Sequence, residues 1–152
     1  MDRQGRDRVL VVDDEMHLRL YIQAVFDTAG YATATAKDGE EGLRKAIEWK
    51  PDLVSLDLMM PGEGGIRLFQ RLKTDPELRA IGVLVVSAIA GEAFQHSLAL
   101  IRAGARAGLP DPDGYVEKPP TPEALLGEAQ RILGGRAGSA PPDAPTERTK
   151  EA

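Results

Sequence analysis

Short apolar runs alternate with longer amphipathic ones between residues 8 and 133, five of each. Val9-Leu10-Val11-Val12 is β-prone and unbroken by polar residues, the pattern of a strand buried on both faces in a parallel sheet. Tyr31 to Ala36, Leu53 to Leu56, Val83 to Val86 and the shorter Tyr115-Val116 read as strands two to five. The stretches between them carry helical spacing. Leu18, Tyr21, Ile22, Val25 and Phe26 fall on one face, and Gly30 ends that helix. Asp38 with Glu41 gives a capping-box-like start to a second helix bearing Leu43, Ala46 and Ile47; Trp49 near its end reads as packing, and Pro51 stops it. A third helix runs through Ile66, Leu68, Phe69 and Leu72, and a fourth from about Glu92 to Ala105. Thr121 as N-cap and Pro122 at the first helical position open the fifth, with Leu125, Leu126, Ile132 and Leu133 facing inward. This alternation predicts right-handed crossovers and an α/β, doubly wound, five-stranded parallel sheet of (βα)5 type. The expected strand order is flavodoxin-like, 2-1-3-4-5.

The 152 residues are about one domain's worth. Residues 1–133 are expected to form it. From Gly134 to Ala152, prolines aside, the apolar side chains are alanines, too few to offset the entropy of ordering, so a flexible tail is expected there. The absence of cysteine excludes a disulfide framework and a thiolate metal site, and fits a reducing, cytoplasmic setting. The polar start lacks the apolar run of a signal peptide, and no apolar stretch is long enough to span a membrane. A net charge of −5 argues against nucleic acid and points to protein partners.

In a doubly wound sheet, ligands bind outside the carboxyl ends of the strands, beside the switch point. Strand one ends in Asp13-Asp14-Glu15, strand three in Asp57, strand four in Ser87, and strand five runs to Lys118. Each residue alone is ordinary: an Asp after a strand is usually a turn former or cap. Their joint position on one sheet edge is not. Strands one and three are neighbours in the expected order, so three carboxylates converge and need a neutralising partner. Mg²⁺ suits them, because it takes few carboxylates and keeps water and phosphate oxygens as its other ligands.

Asp13-Asp14, Asp57, Ser87-Ala88 and Lys118-Pro119, in that order, resemble the receiver domains of two-component response regulators. Met60-Pro61, Asp38-Gly39 and Tyr115 are similar to the family as well, over roughly residues 8 to 133. The resemblance implies a stand-alone phosphorelay receiver. In it Asp57 takes a phosphoryl group from a phosphohistidine of a sensor histidine kinase or phosphotransfer protein. It further implies Mg²⁺ held by Asp14, Asp57, the backbone carbonyl of Met59 and, through water, Asp13. Lys118 would pair with a phosphoryl oxygen and Ser87 would hydrogen-bond another. The Lys118–Pro119 bond is expected to be cis. Ser87 and Tyr115 would form the switch, changing the face of the fourth helix, fifth strand and fifth helix for a protein partner. Such a protein is not a conventional enzyme, though it catalyses its own phosphorylation and slow dephosphorylation. Met59 and Ile89, two residues after the acceptor and after Ser87, resemble the positions flanking the path of the hydrolytic water.

The chain departs from the family in three places. Gly64-Gly65 replaces the usual Asp or Asn before glycine, a weaker cap that suggests a looser loop. Pro120 stands where an aromatic is common, and Arg106 to Gly114 reads as an insertion, either a tolerated surface loop or a partner-specific element. His17 and His96 fall at exposed helix positions. A haloacid-type phosphohydrolase would need an acid where Met59 stands, and a nucleotide-binding domain would need a phosphate-cradling loop in place of Asp13-Asp14-Glu15. A phosphorylation-independent, receiver-like interaction module is the alternative that the sequence leaves open.

Overall fold

The computed structural model describes residues 6–88, 99 and 111–135. The expected fourth helix (apart from Ala99), His96, Ile89, residues 106–110 and nearly all of the expected tail lie outside them. Strands β1 (Arg8–Val12), β2 (Ala32–Ala36), β3 (Leu53–Leu56), β4 (Gly82–Ser87) and β5 (Gly114–Glu117) form one sheet in the order 2-1-3-4-5. All pairings are parallel, as the alternating pattern predicts. Helices α1 (Met16–Thr28), α2 (Gly39–Trp49) and α3 (Gly64–Thr74) and a C-terminal helix (Pro122–Gly134) cover the two faces. None of these is long and apolar enough to cross a membrane.

Side chains in successive strand positions point to opposite faces, and that alternation sorts the core into two layers. Leu10, Val12, Val54, Leu56, Val83 and Val85 meet Leu68, Phe69 and Leu72 of α3 and Ala46 of α2. Val9, Val11, Leu53, Leu84 and Val86 meet Ile22 and Phe26 of α1 and Leu125, Ala129 and Ile132 of the C-terminal helix. Two positions read as core-facing are not: Tyr21 is 40% exposed and Ile47 46%. Trp49 does pack against the first layer, and Arg8 lies over its ring.

Local capping signals hold. Gly30 follows α1 with φ of 100°, a left-handed conformation that glycine adopts without strain. Asp38 Oδ1 accepts from the Glu41 N–H at 2.8 Å, and Glu41 returns the contact one residue early, accepting from the Lys37 N–H at 2.9 Å. Thr121 Oγ1 accepts from the Ala124 N–H with Pro122 in the first turn.

The expected insertion is shorter at its end than the sequence suggests. Gly114 already belongs to β5, and Asp113 is bound into the framework. Asp113 Oδ2 accepts from the Val83 N–H at 2.8 Å and pairs with Lys73 Nζ at 2.7 Å. Arg131 Nη2 donates to the Asp113 carbonyl at 2.8 Å. A single aspartate thus ties α3, β4 and the C-terminal helix together at the amino end of the strands.

Candidate phosphoryl-acceptor site

Three backbone hydrogen bonds carry the parallel ladders past the carboxyl ends of the strands. Asp13 N–H donates to Ala36 O, Asp57 N–H to Val12 O and Lys118 N–H to Ser87 O, at 3.1, 3.1 and 2.7 Å. The residues that follow the strands are therefore fixed in register, and their side chains share one edge. Oxygens of Asp13, Asp14 and Asp57 lie within 4.8 Å of one another. Asp13 and Asp57 are buried, whereas Asp14 is exposed.

Lys118 is the neutralising charge of this cluster. Its Nζ lies 3.2 Å from Asp57 Oδ2 and 3.3 Å from Asp13 Oδ2. The other oxygen of each carboxylate is held by backbone: Asp57 Oδ1 by the Met59 N–H at 3.0 Å and Asp13 Oδ1 by the Glu15 N–H at 2.9 Å. Burial pushes the Asp13 carboxyl above its ordinary range. The Glu15 N–H and Lys118 pull it back, and the charge of Asp57 adds to the rise. Arg19 Nη1 also donates to the Asp13 carbonyl at 2.9 Å, bracing the turn from below.

The third acid of the Asp13-Asp14-Glu15 run does something else. Glu15 is the N-cap of α1, accepting from the Leu18 N–H at 2.8 Å and the His17 N–H at 3.2 Å. Those bonds, the Leu18 contact foremost, hold its carboxyl below the usual range. The converging triad is Asp13, Asp14 and Asp57.

Ser87 is the buried last residue of β4, its carbonyl bonded by Lys118. The Lys118–Pro119 bond is cis, as expected. Tyr115 sits in β5, half-buried against the α3-side core, and burial, with the charge of Glu117, raises its phenol above the ordinary range. His17 is exposed, and Pro120, in the place of the family's aromatic, is buried.

Two features of the structure were not read from the sequence. The first is Gly65. A Cβ there would stand 2.4 Å from the Asp57 carbonyl oxygen and 2.8 Å from that of Leu58. Gly65 lets the first turn of α3 rest on the backbone that carries Asp57. Gly39 makes a similar close approach, with a Cβ falling 2.3 Å from the Gly64 carbonyl oxygen. Gly65→Ala is expected to destabilise the fold by about 1–3 kcal/mol, the range for overpacking, and to weaken divalent binding through displacement of Asp57. Urea denaturation with and without Mg²⁺ measures both effects. The second, outside the site at the amino end of the strands, is buried Asp52, whose Oδ2 accepts from the Arg8 N–H at 2.8 Å.

Residues 9–130 match the family model described as the response regulator receiver domain. The chain belongs to this family. It is 32% identical over 139 residues to the phosphate regulon transcriptional regulatory protein PhoB of Pseudomonas aeruginosa, covering 91% of this chain and 56% of that protein. It is 35% identical over 126 residues to the alkaline phosphatase synthesis transcriptional regulatory protein PhoP of Bacillus subtilis, covering 83% and 48%. The receiver thus spans about half the length of these curated relatives. Among solved structures it resembles the chemotaxis response regulator CheY4 of Vibrio cholerae, with a TM-score of 0.71 and 26% identity over 85% of this chain and all of that one.

Proposed function

We propose that this receiver accepts a phosphoryl group on Asp57 from a phosphohistidine of a sensor kinase or phosphotransfer protein. The observation that carries the reading is the Asp57 carboxylate itself, buried at the sheet edge, flanked by two further carboxylates and touched by Lys118. A carboxylate oxygen of Asp57 attacks phosphorus while the P–N bond to the donor imidazole breaks. Lys118, already 3.2 Å from Asp57, follows the charge onto a phosphoryl oxygen as a mobile point charge. Ser87 supplies a hydroxyl for a second oxygen, and its displacement opens space for the Tyr115 ring, which transmits the change to a protein partner.

The acidic edge fits a hard divalent ion. Its donors are all oxygen, Asp14 reaches solvent, and Asp13 Oδ2 is buried without a well-directed hydrogen bond among the described residues. Asp13, Asp14, Asp57 and the Met59 carbonyl would hold Mg²⁺, which supplies charge neutralisation at the phosphoryl oxygens. The phosphodonor protein has an apolar surface to meet beside this edge. Met16 and Leu20 of α1 are 51% and 48% exposed, and Tyr21, Leu18, Pro119 and Pro120 line a shared depression next to Lys118.

Incubation with acetyl phosphate and Mg²⁺ tests the reading by intact mass. One phosphoryl group is expected, with none when the metal is chelated. A protein that gains no mass under donor excess would instead be a phosphorylation-independent module.

A further inference from the structure

We propose that Met59 is an oxidation site through which peroxides shorten the life of the phosphoryl group on Asp57; this inference rests on the phospho-acceptor reading above. The chain has no cysteine, so methionine thioethers are its peroxide-reactive sulfurs. Three methionines lie among the described residues, and they differ sharply in access. Met59 is 55% exposed and Met16 51%, but Met60 only 5%. The adjacent pair thus splits: Met60 enters the α3-side core, while Met59 faces solvent. Met59 is also bound to the acceptor, its N–H donating to Asp57 Oδ1 at 3.0 Å. No other exposed methionine among the described residues makes such a contact.

The reaction is a two-electron oxygen transfer. The Met59 sulfur lone pair attacks an oxygen of hydrogen peroxide or an alkyl hydroperoxide, and the O–O bond breaks. The proton on the transferred oxygen passes to the leaving oxygen, giving sulfoxide plus water or alcohol. The thioether is a weak acceptor; the sulfoxide oxygen is polar and accepts hydrogen bonds. A water bound there sits beside the acyl phosphate. Its oxygen bonds to phosphorus as the bond from phosphorus to the Asp57 oxygen breaks, releasing inorganic phosphate and the free carboxylate. Orienting that water is most of what the hydrolysis needs from the protein. Because sulfoxide reduction restores the thioether, the effect is reversible.

The test compares the reduced and the peroxide-treated 152-residue protein, as wild type and as Met59→Leu. Hydrogen peroxide is applied and removed, oxidised positions are located by peptide mass, and the protein is then phosphorylated with acetyl phosphate and Mg²⁺. Loss of the phosphoryl mass is followed after donor removal. Oxygen is expected at Met59 well before Met60. The oxidised wild type should lose its phosphoryl group about three- to tenfold faster, the worth of one water-positioning hydrogen bond. Treatment with a methionine sulfoxide reductase should restore the slow decay, and Met59→Leu should respond to peroxide with no acceleration. Equal decay of reduced and oxidised wild type overturns the inference, and so does acceleration that persists in Met59→Leu. If the reduced protein gains no phosphoryl group at all, the acceptor reading falls, and this inference with it.

Discussion

Asp57→Asn is expected to abolish phosphoryl transfer while leaving the protein folded. The amide oxygen can keep the Met59 N–H contact, and the side chain retains its volume, so the loop geometry survives. What disappears is the nucleophile, since an amide cannot form the acyl phosphate. Lys118 loses one partner but keeps Asp13 at 3.3 Å. Removing the Asp57 charge also relieves one of the influences that raise the Asp13 carboxyl. Melting temperature should therefore hold or rise, which separates lost chemistry from lost structure. Intact mass after acetyl phosphate treatment, with a thermal scan, measures both. Labelling of the variant at the wild-type level would move the acceptor elsewhere.

The second large effect concerns the divalent ion. Three carboxylates share the edge, with Lys118 opposing only part of their charge. A bound cation stabilises the native state by an amount that grows with the logarithm of its concentration over the dissociation constant, and ten-fold excess is worth about 1.4 kcal/mol. For a domain of this size that is a rise of roughly 3–6 °C in melting temperature. Asp14→Ala removes the exposed ligand. The variant should melt at or above the wild type without Mg²⁺, because a repulsive charge has gone. Adding Mg²⁺ should then change nothing. A wild type whose melting point ignores Mg²⁺ would refute the cation site.

Much of this was legible because its signals are local. Four-residue β-prone runs, the Thr121-Pro122 cap and Gly30 each declare an element within a few positions, and the alternation then dictates the sheet. The acidic edge was legible for a related reason: Asp13, Asp57 and Lys118 each follow a strand directly, so knowing the strand order is enough to bring them together. The illegible parts are contacts across distance. Nothing near Glu15 says that its carboxylate turns back to cap α1 instead of joining its two neighbours. Nothing near Gly65 says that α3 lies on the Asp57 backbone there, a meeting decided by packing rather than by propensity. Asp113 reads as loop until Lys73 and Arg131, 40 and 18 residues away, are found around it.

That aspartate separates two design problems that a parallel sheet normally couples. β5 must arrive in register for Lys118 to reach Asp57, yet the sequence leading to it, Arg106 to Gly114, is where an insertion is expected. With Asp113 moored to α3, β4 and the C-terminal helix, the start of β5 is fixed by the framework itself. Length upstream of residue 111 thus becomes a free variable for evolution, and for an engineer seeking a site to graft a reporter, while the chemistry at the far end of the sheet stays in alignment.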